Sequence, residues 1–146
     1  MKFSPLTPRR ALIAGSAALL CVLGGAAAAT PSIAGGATCK GETATYVGTD
    51  GRDVFNGGPG RDVVVTLGGN DDIDAGGGND LICAGPGSDE IDGDAGNDRM
   101  YGQGGNDEMD GQGGDDVLIG NKGTDDADGE IGNDRCVAEI EDDCER

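Results

Sequence analysis

The chain has 146 residues, with 28 acidic against 10 basic, 30 glycines, no histidine and a formal net charge of −18. That balance excludes nucleic acid and anionic membrane as natural partners and favours cations. Glycine at this density with so few aromatics reads as disorder, unless a repeat supplies order that composition hides.

Residues 1–29 are expected to be a signal peptide. MKFSPLTPRR is basic, ALIAGSAALLCVLGGAAAA is a short apolar run, and Ala27 and Ala29 satisfy an A-x-A cleavage site. The run is too short and glycine-interrupted to be preferred as a membrane span. Arg9 and Arg10 hint at twin-arginine export, a signal weakened by Pro8, and Leu20 before Cys21 argues against a lipoprotein. Without Lys2, Arg9 and Arg10, 10 − 3 = 7 basic residues face 28 acidic ones, a charge of −21. The product is read as secreted or extracellular, including attachment at the cell surface.

Residues 30–47 form an N-terminal segment and cap. CKGETATYV, from Cys39 to Val47, has a repeat's length but carries Glu42 and Ala44 where glycine and aspartate would stand. It is expected to be a capping coil without a metal site, with Tyr46 over the core.

From Gly48 to Val137 run ten nine-residue units without insertion, such as AGGGNDLIC, GDAGNDRMY and GQGGNDEMD. Position four is glycine in all ten, from Gly51 to Gly132. Position six is always aspartate: Asp53, Asp62, Asp71, Asp80, Asp89, Asp98, Asp107, Asp116, Asp125 and Asp134. Position eight carries the apolar residue: Phe55, Val64, Ile73, Ile82, Ile91, Met100, Met109, Leu118, Ala127 and Cys136. Positions one to six have turn chemistry and positions seven to nine are β-formers around that apolar residue.

A three-residue strand with one apolar side chain cannot stand alone, but stacking cures both defects. If each turn reverses the chain, two units make one 18-residue coil. Successive coils then pair as parallel strands roughly 4.8 Å apart, with position eight of both sheets meeting inside. The predicted fold is all-β, a parallel β-roll.

Such a spine is thin and the chain is strongly charged, so a ligand of the folded turns must contribute. Calcium fits, because it takes six to eight oxygens from carboxylates and carbonyls. Coil geometry predicts aspartate pairs 18 residues apart. One edge pairs Asp53, Asp71, Asp89, Asp107 and Asp125 in succession; the other pairs Asp62, Asp80, Asp98, Asp116 and Asp134. Several calcium ions, up to about eight in interior sites, would follow. Turn propensity alone does not account for ten aspartates at one phase.

The pattern resembles the haemolysin-type (RTX) calcium-binding nonapeptide repeat, G-G-x-G-x-D-x-U-x, over residues 48–137. The resemblance implies a parallel β-roll whose turns bind calcium, in a small stand-alone secreted form. Thr66, Leu67, Asp94, Gln103, Gln112, Asn121 and Glu130 depart from its first two glycines.

Residues 138–146 form the C-terminal cap. In AEIEDDCER, Asp143 stays in phase but Glu141 stands where the glycine would be, so a ninth site with Asp125 is not expected. Cys39, Cys83, Cys136 and Cys144 follow the leader, an even number with three connectivities. Nearness in sequence pairs Cys136 with Cys144 and leaves Cys39 for Cys83. Zinc is disfavoured by the absence of C-x-x-C and of histidine.

Positions seven and nine face outward and separate into two faces. The odd units show Val54, Asn56, Asp72, Asp74, Glu90, Asp92, Glu108, Asp110, Asp126 and Asp128, a largely acidic face. The even units show Val63, Val65, Leu81, Cys83, Arg99, Tyr101, Val117, Ile119, Arg135 and Val137. The N-terminal segment PSIAGGAT, tethered by Cys39 to Cys83, is expected to lie over part of the apolar face. The remaining patch offers a surface for a protein or cell-surface partner.

No catalytic triad, H-E-x-x-H motif or EF-hand loop is present, and the carboxylates form a lattice without a distinguished member, so no enzyme is expected. The functional reading is calcium binding by a secreted roll that folds on calcium and acts as a structural or adhesive surface module. The alternative is an extracellular calcium buffer or accessory protein.

Overall fold

The structure is a computed structural model, and it describes residues 36–144. The expected signal peptide lies outside the described residues. Position eight is buried from Val64 to Cys136 and partly buried at Phe55, and the alternation of turn and strand produces two parallel six-stranded sheets back to back.

The chain opens with β1 (Thr38–Cys39) and β2 (Glu42–Thr43), an antiparallel pair, and then enters β3 (Tyr46–Val47). Odd units supply β4 (Val54–Gly58), β6 (Asp72–Gly76), β8 (Glu90–Asp92), β10 (Glu108–Asp110) and β12 (Asp126–Asp128). Even units supply β5 (Val63–Val65), β7 (Leu81–Pro86), β9 (Arg99–Gly104), β11 (Val117–Lys122) and β13 (Arg135–Val137). β14 (Ile140–Asp142) ends the odd sheet, ordered β14-β12-β10-β8-β6-β4; the even sheet is ordered β13-β11-β9-β7-β5-β3. Partners in the array lie 18 residues apart, as Ile82 opposite Met100 and Ile73 opposite Ile91.

The spine runs through Val64, Ile73, Ile82, Ile91, Met100, Met109, Leu118 and Ala127, each at most 1% exposed. Tyr46 and Phe55 close its N-terminal end, their ring centroids 4.6 Å apart. Three of the even strands are longer than the repeat pattern implies. β7, β9 and β11 run on into the next unit, because residues such as Gln103 (φ 79°) and Asn121 (φ 76°) adopt left-handed backbone and bend the chain without breaking its ladder. Leu67, Asp94, Gln112 and Glu130 are left-handed too (φ 75°, 64°, 60° and 56°), so all the non-glycine residues at position two except Thr49 keep glycine's conformation. Asp110 and Asp128 support it, each accepting a 3.1 Å hydrogen bond through Oδ1, from the N–H of Gln112 and Glu130 respectively.

Both disulfides pair as expected, Cys39 with Cys83 and Cys136 with Cys144. The N-terminal segment differs from a capping coil. Only Tyr46 and Val47 take a strand place in the roll; β1 and β2 fold as a hairpin on the outer face of the even sheet. Disulfide attachment to Cys83 and the apolar ground beneath decide this. Cys39 is fully buried, and Val63, Val65 and Leu81 are 3%, 8% and 3% exposed beneath the hairpin. Arg61 pairs with Glu42 at 2.8 Å, and Lys40 Nζ lies 3.9 Å over the Tyr101 ring.

Candidate calcium lattice

Position six lies where each turn meets its strand, so the aspartates of one edge stack coil upon coil. All eight expected pairs are formed. In each, the upper aspartate's Oδ1 accepts the backbone N–H of the lower one, at 2.6–3.1 Å. Asp98 thus accepts from the Asp80 N–H and Asp116 from the Asp98 N–H, both at 2.7 Å.

The second oxygen tells more. Asp53, Asp71, Asp80, Asp89, Asp98, Asp107, Asp116, Asp125 and Asp134 are 1–2% exposed, and each keeps one buried carboxylate oxygen without a hydrogen-bond partner. Asp62, half-buried near the N-terminal end, is the tenth; its Oδ1 accepts from Thr45 Oγ1 at 3.1 Å. A buried charge without compensation is costly, and stacks of five and four in register are not a stable arrangement of bare carboxylates. The acidities agree. Burial, reinforced by the carboxylates of neighbouring coils, raises Asp89, Asp98, Asp107 and Asp116 to about 6, and it raises Asp80 as well.

Among the described residues no three histidine, cysteine, aspartate or glutamate side chains converge on one point. An ion between coils would therefore draw on at most two carboxylates and would need backbone carbonyls to complete its shell. That donor set suits a hard cation of high coordination number. Backbone oxygens of the turns lie near the position-six carboxylates. A Cβ built on Gly93 would lie 2.9 Å from Asp98 Oδ2 and 3.1 Å from the Gly111 carbonyl oxygen. On Gly111 it would meet Asp116 Oδ2 at 2.8 Å and the Gly129 carbonyl oxygen at 3.0 Å. A carboxylate oxygen and a carbonyl oxygen of the next coil thus approach the same point.

Position four has a different constraint. A Cβ on Gly96 would fall on the carbonyl oxygen of Gly78 one coil below, and Gly87, Gly105, Gly114, Gly123 and Gly132 repeat the contact. Only glycine lets the coils approach to ladder distance there.

Two further features complete the edges. Position five carries ladders of its own. The Ser88 N–H donates to Asn70 Oδ1 (3.1 Å) and the Thr124 N–H to Asn106 Oδ1 (3.0 Å) on one edge. On the other, the Asn97 N–H donates to Asn79 Oδ1 (2.9 Å) and the Asn133 N–H to Asp115 Oδ1 (3.1 Å). The run of Asn, Ser, Thr and Asp at that position was its only sequence signal. The second feature is Glu139, whose Oε2 accepts the Asp125 N–H at 3.0 Å. Asp143, in phase by sequence count, does not take this place.

A roll of stacked short coils, with carboxylate and carbonyl oxygens close together at turns such as those of Gly93 and Gly111, is an architecture suited to binding cations. The chain matches the RTX calcium-binding nonapeptide repeat (4 copies) over residues 47–82, 84–118 and 101–136, and it belongs to that family. Its repeats bind calcium. No curated protein and no solved structure matches the chain.

Proposed function

We propose that the ten position-six aspartates are the calcium ligands, and that the chain works as an extracellular roll which calcium folds into a structural or adhesive surface module. The observation that carries this reading is the nine buried, partnerless carboxylate oxygens at coil spacing, five along one edge and four along the other. In this reading residues 1–29 direct export and are removed, residues 30–47 and 138–146 are the end segments, and residues 48–137 form the calcium-built body. Two disulfides suit an oxidising compartment.

What the module holds is read from the even face. Beyond the hairpin, Val117 and Ile119 are half-buried and Val137 is 48% exposed, flanked by exposed Arg99 and Arg135. Among the described residues neither arginine forms a salt bridge, in a molecule otherwise rich in acid. An apolar strip between two free guanidinium groups suits a partner that is apolar and anionic.

Isosteric substitution tests the ligand assignment. Asp98→Asn keeps the acceptor for the Asp80 N–H but removes charge from the lattice, so calcium affinity falls and the calcium needed for folding rises several-fold. Asp92→Asn, which removes an equal charge from the outer acidic face, leaves that requirement near wild type. Equal responses would mean diffuse polyanion binding. For the surface role, Ile119→Asp lowers partner recovery while calcium binding is kept; unchanged recovery favours a calcium buffer. Val63 is unsuitable for that test because it is buried under the hairpin.

A further inference from the structure

The odd edge of the lattice ends at Asp125, with no repeat above it to supply another aspartate. Counting along the sequence offers Asp143. The structure pairs Ile140 with Asp126, Glu141 with Ala127 and Asp142 with Asp128, an offset of 140 − 126 = 14 residues in place of 18. Four residues are missing from the last turn, and position six falls on Glu139.

Three observations agree. The Ile140 N–H donates to the Asp125 carbonyl at 3.1 Å, as the Asp126 N–H does to the Asp107 carbonyl at 2.8 Å. The Asp125 N–H donates to Glu139 Oε2 at 3.0 Å, as the Asp107 N–H does to Asp125 Oδ1 at 3.1 Å. Asp143 has moved to a position-one place, its carbonyl oxygen 2.8 Å from a Cβ built on Gly129, where the Gly129 carbonyl itself stands over Gly111. Glu139 therefore repeats the lattice pattern, with one oxygen on the N–H below and Oε1 free of protein hydrogen bonds among the described residues. Beneath it Asp125 is 1% exposed, and its Oδ2 has no partner.

We propose that Asp125 and Glu139 form an additional calcium site closing the odd edge, supplied by a residue outside the repeats. The inference rests on the assignment of position six as the calcium ligand. The extra methylene of glutamate gives the reach that the shortened turn requires. That turn is four residues shorter and Glu139 is exposed, so the site is the weakest in the roll and fills last. The even edge has no equivalent: among the described residues no carboxylate accepts the Asp134 N–H.

The test counts calcium ions per oxidised chain by native mass spectrometry, and resolves binding steps by titration, for wild type, Glu139→Gln and Asp143→Asn. Glutamine keeps an acceptor for the Asp125 N–H and removes only the charge. Glu139→Gln is expected to bind one ion fewer and to lose the weakest step, with earlier steps unchanged within about twofold. Asp143→Asn is expected to keep the wild-type count. A full count in Glu139→Gln, or an ion lost from Asp143→Asn instead, overturns the proposal. A wild-type chain that binds no calcium would overturn the position-six assignment itself, a distinguishable result.

Discussion

Gly96→Ala isolates the packing that lets the coils stack. Gly96 has φ +134°, a region L side chains rarely adopt, and its Cβ would sit on the Gly78 carbonyl oxygen. The backbone conformation alone costs about 1–3 kcal/mol in a residue with a Cβ. Forcing two coils apart at a closely packed contact adds about 1–3 kcal/mol. Together these give about 2–6 kcal/mol, which lowers Tm at saturating calcium by roughly 10 °C or more for a domain of this size. Gly104→Ala is the matched control, since a Cβ there meets nothing within 4 Å. Its Tm should stay within a few degrees of wild type. Thermal melts followed by circular dichroism decide the matter. A Gly96→Ala chain that melts with the control would refute the claim that position four is glycine because of the coil below.

Acidification should partly replace calcium. Asp89, Asp98, Asp107 and Asp116 stand at about 6 in the fold against an ordinary 3.8, so the calcium-free fold takes up protons as pH falls through about 6 and gains stability down to about 4. Each group contributes at most about 3 kcal/mol; strand signal in calcium-free buffer should rise on acidification, and a flat or falling signal contradicts the burial argument. Replacing Cys39 and Cys83 by serine opens a link of sequence separation 44, costing about 4 kcal/mol by chain entropy. Dye binding to the uncovered Val63 and Leu81 should rise while the roll keeps its strand signal; no change in dye binding would show that the hairpin stays down without its disulfide.

The roll was legible because its period leaves few alternatives. With glycine, aspartate and an apolar residue at fixed phases, the 18-residue register, the inward spine and the eight aspartate pairs follow from reversing the chain at each turn. The two faces followed from the same count, since Asp74 and Asp92 must share one sheet and Val117 and Arg135 the other. Legibility stopped where the period did. The N-terminal hairpin depends on the apolar ground that Val63 and Leu81 offer, which outweighs the nine-residue length of the Cys39–Val47 segment. Glu139 was hidden because shortening the last turn by four residues shifts every later phase, and only strand pairing reveals the shift. The position-five ladders were visible as composition, but their hydrogen bonds belong to coils in contact.

In the proposed function, calcium held by the buried position-six carboxylates builds this fold. The most direct measurement is a calcium titration of the oxidised chain followed by far-ultraviolet circular dichroism, starting in excess chelator at neutral pH. Little strand signal is expected at the start, with its cooperative appearance as calcium is added. Full strand content in excess chelator, unchanged by calcium, would contradict it.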